Sequence, residues 1–370
     1  MQPCLSPNGM CRFDLDAAPT RLLVATADGL VALERAGPGA AWRVGATVLA
    51  GQHVSTLTAL PHRNGVLAGT HGDGVYYSAD GVSGWEKRND GLTLPDIYTL
   101  AAVERAGRTI LYAGTQPASL FRSDDLGRSW AELAAIRQVP GTEHWVFPAP
   151  PRIAHTKMLA IDPRDPDTIY AAIEQGALLK TTDGGKSWRE LDGYSREDDR
   201  AYKDIHQIVL RPSDPTQMLM TTGVGLYTSS DAGEHWERLT GADFRLAYPD
   251  HLMLSPDERV LFLSGGATDP GEWRHSHDAG TTIVRSRDLG RSWDMTQRGA
   301  KITPHANIEA MTLVSYPGGY SLFLANTDGE VYASEDGGDS WAEIAGTLAP
   351  VSKGNHYALL QQSPAAAAHP

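Results

Sequence analysis

The chain has 370 residues, 41% of them hydrophobic, and a formal net charge of −13. That acidity, with no cluster of Lys and Arg, excludes a nucleic-acid backbone as the main partner. No run reaches the roughly 18 apolar residues of a membrane-spanning helix, so a soluble protein without membrane contact is expected.

The opening residues, Met1-Gln2-Pro3-Cys4-Leu5-Ser6-Pro7, show neither the basic start nor the apolar stretch of a secretory signal. Cys4 and Cys11, the two cysteines, lie near a terminus that reads as mobile, and their small number fits a reducing compartment. The expected location is the cytoplasm.

Three short apolar segments follow, at 22–25, 30–33 and 42–48, and read as strands of a first unit. From there the chain repeats itself. Seven of its nine tryptophans, Trp42, Trp85, Trp130, Trp188, Trp236, Trp293 and Trp341, recur at intervals of roughly 50 residues. Five of them close an octet of the form Ser/Thr-x-Asp-x-Gly-x-x-Trp, at 123–130, 181–188, 229–236, 286–293 and 334–341. A sixth copy at 78–85 has Val82 in place of the glycine, and the first keeps only Gly39 and Trp42.

Each octet reads as a tight turn: the aspartate accepts backbone amides, the glycine takes a positive φ, and the tryptophan opens the next strand. Before each octet lies a hairpin, as at 70–77 or 326–332, and before each hairpin another apolar stretch, as at 57–60, 100–103, 159–161, 208–210, 252–254 and 311–314. Four strands per repeat make a propeller blade, and seven copies make an all-β, single seven-bladed β-propeller of antiparallel blades over residues 1–362. A last apolar stretch, 356–360, is expected to be a strand that completes the first blade and closes the ring. The Ala- and Pro-rich tail at 363–370 is expected to be disordered.

These octets resemble the Asp-box, or BNR, repeats of sialidase-like propellers, and the resemblance covers nearly the whole chain. Proteins with such repeats include sialidases, xyloglucan-cleaving glycosidases, sortilin-type receptors and photosystem II assembly factors, so the resemblance implies the fold and leaves function to the site. The sialidase pattern is not matched: Arg12-Phe13-Asp14 and Arg152-Ile153-Ala154 depart from its Arg-Ile-Pro motif. The xyloglucan-type enzymes resemble this chain in blade number but place their cleft between two propellers.

Loop length separates the two faces of the ring. The turns on the octet face are brief, whereas the loops at 137–154, 192–203, 241–250, 265–281 and 299–306 lie on the opposite face. Where the chain leaves that face for each inner strand it carries a polar group: His53, Asp96, His155, Asp204 with His206, Asp250 with His251, Asn307 with Glu309, and His356, with His305 slightly farther out. A side-chain period of two puts most of them on one face, as a ring around the channel mouth.

Imidazoles with carboxylates behind them suit a divalent transition metal such as Zn, Fe or Mn. His53, His155, His206, His251, His305 and His356 are therefore the candidate metal ligands, and Asp204, Glu309 and Asp96 the candidate catalytic carboxylates. His144, Trp145 and Arg152 of a stiff aromatic loop, with Arg274 of the blade-six hairpin, are candidate substrate contacts. The reading is a propeller enzyme performing metal-assisted hydrolysis or lysis of a small organic substrate. Two alternatives stand beside it: a glycoside hydrolase using the channel-mouth carboxylates, and a non-catalytic protein-binding scaffold of the assembly-factor type.

Overall fold

The structure is a computed structural model. It describes residues 1–361 apart from 62, 150, 195–202, 242–243, 297, 300–301 and 304. Residues 195–202 of the loop at 192–203 and the tail at 363–370 thus lie outside the described residues.

Short apolar segments, most of them buried along their whole length, pair mainly with their sequence neighbours, and seven sheets result. Blades two to seven begin with the inner strands Val54–Ala59, Asp96–Arg105, Thr156–Ile161, Ile205–Arg211, Tyr248–Leu254 and Ile308–Tyr316. Each inner strand pairs antiparallel with the next strand outward, and three more strands complete each of these blades. The molecule is a seven-bladed β-propeller. Its core is a set of apolar clusters between neighbouring blades, such as Ile110, Tyr112, Ile136, Ile169, Ile173 and Leu179 between blades three and four. No helix among the described residues is long and apolar enough to cross a membrane.

The octets are turns, as their composition requires. In blade four the Asp183 carboxylate accepts from the Thr181 hydroxyl at 2.7 Å and from the amides of Lys186 and Ser187 at 2.9 and 3.0 Å. Gly185 sits at φ 90°, where a side chain would be strained, and its amide donates to Thr181 Oγ1 at 3.0 Å. The same bonds recur around Asp125, Asp288 and Asp336. The tryptophans differ in burial. Trp130, Trp236 and Trp341 are buried, whereas Trp42, Trp188 and Trp293 are only partly covered.

Ring closure departs from the expectation. Residues His356–Leu360 form a short helix, and the inner strand of the first blade is Cys4–Leu5, paired in parallel with Arg21–Thr26. The chain then threads through the channel: Asn8 and Met10 donate to the carbonyls of Ser55 and Leu57, and Arg12–Asp14 adds a parallel strand to the inner edge of blade seven. A C-terminal strand is replaced because Cys4, Leu5 and Phe13 already fill the seam with apolar surface that is fully buried. The N-terminus is therefore part of the core, with Cys4 a buried free thiol and Cys11 a partly covered one. Arg35 with Glu335, and Trp42 edge-on to Phe323 at 5.7 Å, join the first and last blades on the outside.

Two changes separate the closures. Leu5→Ala should lower the unfolding free energy by about 2–5 kcal/mol in denaturant titration, as a buried core truncation does. Ending the chain after Asn355 should leave the main cooperative transition in place, since the seam is made elsewhere.

Candidate functional site

The site begins with a backbone irregularity. In all six antiparallel inner strands the register shifts near the channel mouth, leaving one residue out of the ladder: Ser55, Tyr98, Lys157, His206, Asp250 and Glu309. Such bulges re-aim a side chain that regular pleating would send elsewhere. Two residues before each bulge stands a leading residue: His53, Asp96, His155, Asp204, Tyr248 and Asn307. In four blades the neighbouring hairpin is clamped onto it, the amides of His71, Glu174, Gly223 and Thr327 donating to the carbonyls of His53, His155, Asp204 and Asn307 at 2.8–3.1 Å.

One half of the mouth is organised by Lys353, from the segment that precedes the C-terminal helix. Its ammonium donates to both Asp250 oxygens at 2.8 and 2.7 Å, and its amide to Glu309 Oε2 at 3.1 Å. Glu309 Oε1 also accepts from Asn307 Nδ2 at 2.7 Å and lies 3.0 Å from His356 Nδ1. Burial works against ionisation of Glu309, but His356 and Lys353 overcome it and bring its pKa down to about 2. Burial opposes Asp250 too, and Lys353 holds that carboxyl far below the usual range.

The other half is organised by Glu174. It bonds His155 Nε2 through one oxygen and accepts from Lys157 Nζ at 2.7 Å through the other. Desolvation would raise this buried carboxyl, yet Lys157 and His155 keep it well below its ordinary value. The oxygens of Glu174 and Asp204 and a ring nitrogen of His206 lie within 4.8 Å of one another. His206 Nδ1 faces the Pro249 carbonyl at 2.6 Å, and its Nε2 lies 3.4 Å from Asp204 Oδ2. Gly223 makes room for that carboxylate: a Cβ there would stand 2.6 Å from Asp204 Oδ2.

An arc of rings connects the two halves. His53 and His71 meet edge to face at 4.6 Å, His71 meets Tyr98 at 4.6 Å, and Tyr98 stacks on His155 at 3.7 Å. His71 Nδ1 lies 2.6 Å from Asp96 Oδ1. His53 Nε2 donates to the Ser352 carbonyl at 2.9 Å, and burial, with His71 beside it, lowers its pKa to about 4.

The six candidate histidines do not share one ligand sphere. His206 alone stands in the group with Glu174 and Asp204. His155 binds Glu174, His53 binds Ser352, and His356 stands on the helix beside Glu309. His251 Nε2 donates to the Pro7 carbonyl of the threaded N-terminus at 3.1 Å, and His305 pairs with Asp328 at 2.8 Å with 43% of its side chain exposed. The candidate carboxylates separate likewise: Asp96 pairs with His71 and Glu309 with Lys353 and His356, while Asp204 faces His206.

The candidate substrate contacts are scattered. His144 is 82% exposed, and Arg274 is exposed on the helix Pro270–Ser276. Arg152 is exposed at φ 66°, and Trp145 packs on the blade-four core. From that loop it is Phe147 that reaches the site, with its ring 5.2 Å from His155.

Sequence reasoning missed Glu174, Lys157, Tyr98, His71 and Lys353. His71 and Glu174 occupy a turn position where other repeats hold Ala27, Gly223, Ala267 and Thr327, and that departure from the repeat was a usable signal. Lys157 was hidden by the bulge, and Lys353 by the misread C-terminal strand.

No family model matches the chain. It is similar to an oligoxyloglucan-reducing end-specific xyloglucanase of Emericella nidulans, 21% identical over 264 residues, which are 60% of this chain and 32% of that protein. A Paenibacillus sp. xyloglucanase is 24% identical over 65% of this chain and 20% of its own length. The chain thus spans about a third or less of these relatives, 32% and 20%. Among solved structures, an ancestral GH74 enzyme matches with a TM-score of 0.63 at 17% identity, over 80% of this chain and 39% of that one. YCF48 bound to D1 peptide matches with a TM-score of 0.57 at 15% identity, over 88% and 94%. At these identities the structural likeness is one of fold.

Two measurements check the network. Lys353→Met should destabilise the chain by about 3–5 kcal/mol, because it strands buried carboxylates, and adding Asp250→Asn should recover part of that loss in a double-mutant cycle. His53, facing His71, Asp96 and Glu309, has a folded pKa below its ordinary 6.5. Its contribution is present above pH 6.5 and is lost as pH falls towards 4, on the order of 3 kcal/mol in all. His53→Gln keeps a donor for Ser352 and should flatten that part of the stability–pH curve.

Proposed function

We propose that the chain is a hydrolase that cleaves a glycosidic bond of a short saccharide at the channel mouth, with Asp204, Glu174 and His206 as its working groups. The observation that carries the reading is the approach of two carboxylates and an imidazole to within 4.8 Å in unlike surroundings. Glu174 is held ionised by Lys157 and His155 and stabilises the positive charge that develops on a sugar ring as its bond breaks. Asp204, with 10% of its side chain exposed, is the member of the trio most open to the mouth; it takes the proton of the attacking water and returns it to the departing sugar oxygen, which leaves as an alcohol while the water oxygen bonds to the sugar carbon. Phe147 gives the apolar wall beside His155.

The relatives named xyloglucanases support a glycosidic substrate, and the octets support kinship with Asp-box propellers. The chain spans a third or less of those relatives, and the proposal concerns a short saccharide at the mouth of this propeller. The free thiols Cys4 and Cys11 favour a reducing compartment such as the cytoplasm.

One observation favours a second reading, a peptide-binding platform: the chain covers 94% of YCF48, a far fuller match than the 39% of the GH74 enzyme.

A panel of reducing-end-labelled oligosaccharides separates the two. Turnover that falls at least about 100-fold in Asp204→Asn with unchanged thermal unfolding, and as far in Glu174→Gln assayed at a temperature where that variant is still folded, is the expected result. A panel without turnover would leave the platform reading.

A further inference from the structure

His206 carries an orphan. Its Nδ1 lies 2.6 Å from the Pro249 carbonyl, which can only accept, so Nδ1 carries the hydrogen and Nε2 of the neutral ring presents a lone pair. That Nε2 is fully buried, has no hydrogen-bond partner, and lies 3.4 Å from a carboxylate oxygen that is itself an acceptor. Two acceptors facing each other inside a protein are unfavourable unless something positive lies between them. An imidazole whose far nitrogen is fixed by a backbone carbonyl is the usual arrangement of a metal-binding histidine.

The distribution of cations gives the same direction. Glu174 has Lys157 and His155 beside it, Asp250 has Lys353, and Glu309 has His356 and the Lys353 amide, whereas Asp204 faces His206. A proton on His206 would satisfy one contact and supply one charge. A divalent cation satisfies all three ligand atoms at once.

We infer that Glu174, Asp204 and His206 Nε2 bind one divalent transition-metal ion. An imidazole with two carboxylates suits Mn or Zn, and the remaining positions are open to water. Gly223 belongs to the site, because any Cβ there would displace Asp204 Oδ2. Lys157 and His155 orient Glu174 from behind. The inference rests on the location of the proposed hydrolase site and deepens that reading by giving Glu174 the role of a ligand in place of a free anion beside the sugar: a metal-bound water is a ready nucleophile, and an Asp204 bound through Oδ2 keeps Oδ1 to accept its proton.

The test is calorimetric titration of the full, untagged, metal-stripped chain with Mn²⁺ and with Zn²⁺. One equivalent is expected, with affinity at least about 100-fold lower in Asp204→Asn and His206→Gln. His251→Gln, which alters a buried histidine outside the trio, should bind as the parent does. Pulsed electron paramagnetic resonance of the Mn²⁺-loaded parent needs no variant and should show coupling to a single imidazole nitrogen. No binding of either metal, binding unchanged in Asp204→Asn with His206→Gln, or bound Mn²⁺ without nitrogen coupling would each overturn the inference. Failure of the hydrolase reading looks different: metal bound with one nitrogen ligand but no saccharide cleaved.

Discussion

The chemistry of this propeller depends on one residue per inner strand being left out of the ladder. A regular strand sends alternate side chains into the blade-to-blade packing, where a charge has no place. The bulge releases Lys157, His206, Asp250 and Glu309 from that constraint and gathers them at one end of the channel. The octet turns recur blade after blade, and the register shift recurs with them at one end of each of these six inner strands.

Gathering charges there requires balance. Lys353 enters from the C-terminal segment and satisfies Asp250, while its backbone amide serves Glu309. Lys157 does the same for Glu174. Below this layer the threaded N-terminus fills the channel, with Pro7 under His251 and Asn8 against Ser55 and Thr99, so the mouth has a floor. Among the buried atoms left without a partner are Nδ1 of His155, Nδ1 of His251 and Nε2 of His206; the last faces a carboxylate, and the functional reading rests on it.

The fold was legible because the octet is local: its aspartate, glycine and tryptophan dictate a turn within eight residues, and the copies count the blades. The face of the site was legible for a similar reason, since long loops mark it and the leading residues His53, Asp96, His155, Asp204 and Asn307 occupy one frame. The partners were not. Glu174 comes from a different strand pair than Asp204, and Lys353 is 103 residues from the Asp250 it neutralises. Blade six misled because Asp250 and His251 looked like its leading pair, whereas Tyr248 holds that place and Asp250 is the bulge. The closing strand misled because 356–360 is as apolar as a strand, and only the packing of Cys4, Leu5 and Phe13 shows the seam already filled.

The central claim is that Glu174, Asp204 and His206 form one cation-dependent working site at the channel mouth. Anomalous diffraction from crystals soaked in Mn²⁺, recorded on both sides of the metal edge, tests it most directly. The account predicts a single strong peak within bonding distance, about 2.0–2.2 Å, of His206 Nε2 and of oxygens from Asp204 and Glu174. A channel mouth without a peak, with Asp204 closed onto His206 in a direct hydrogen bond, would contradict it.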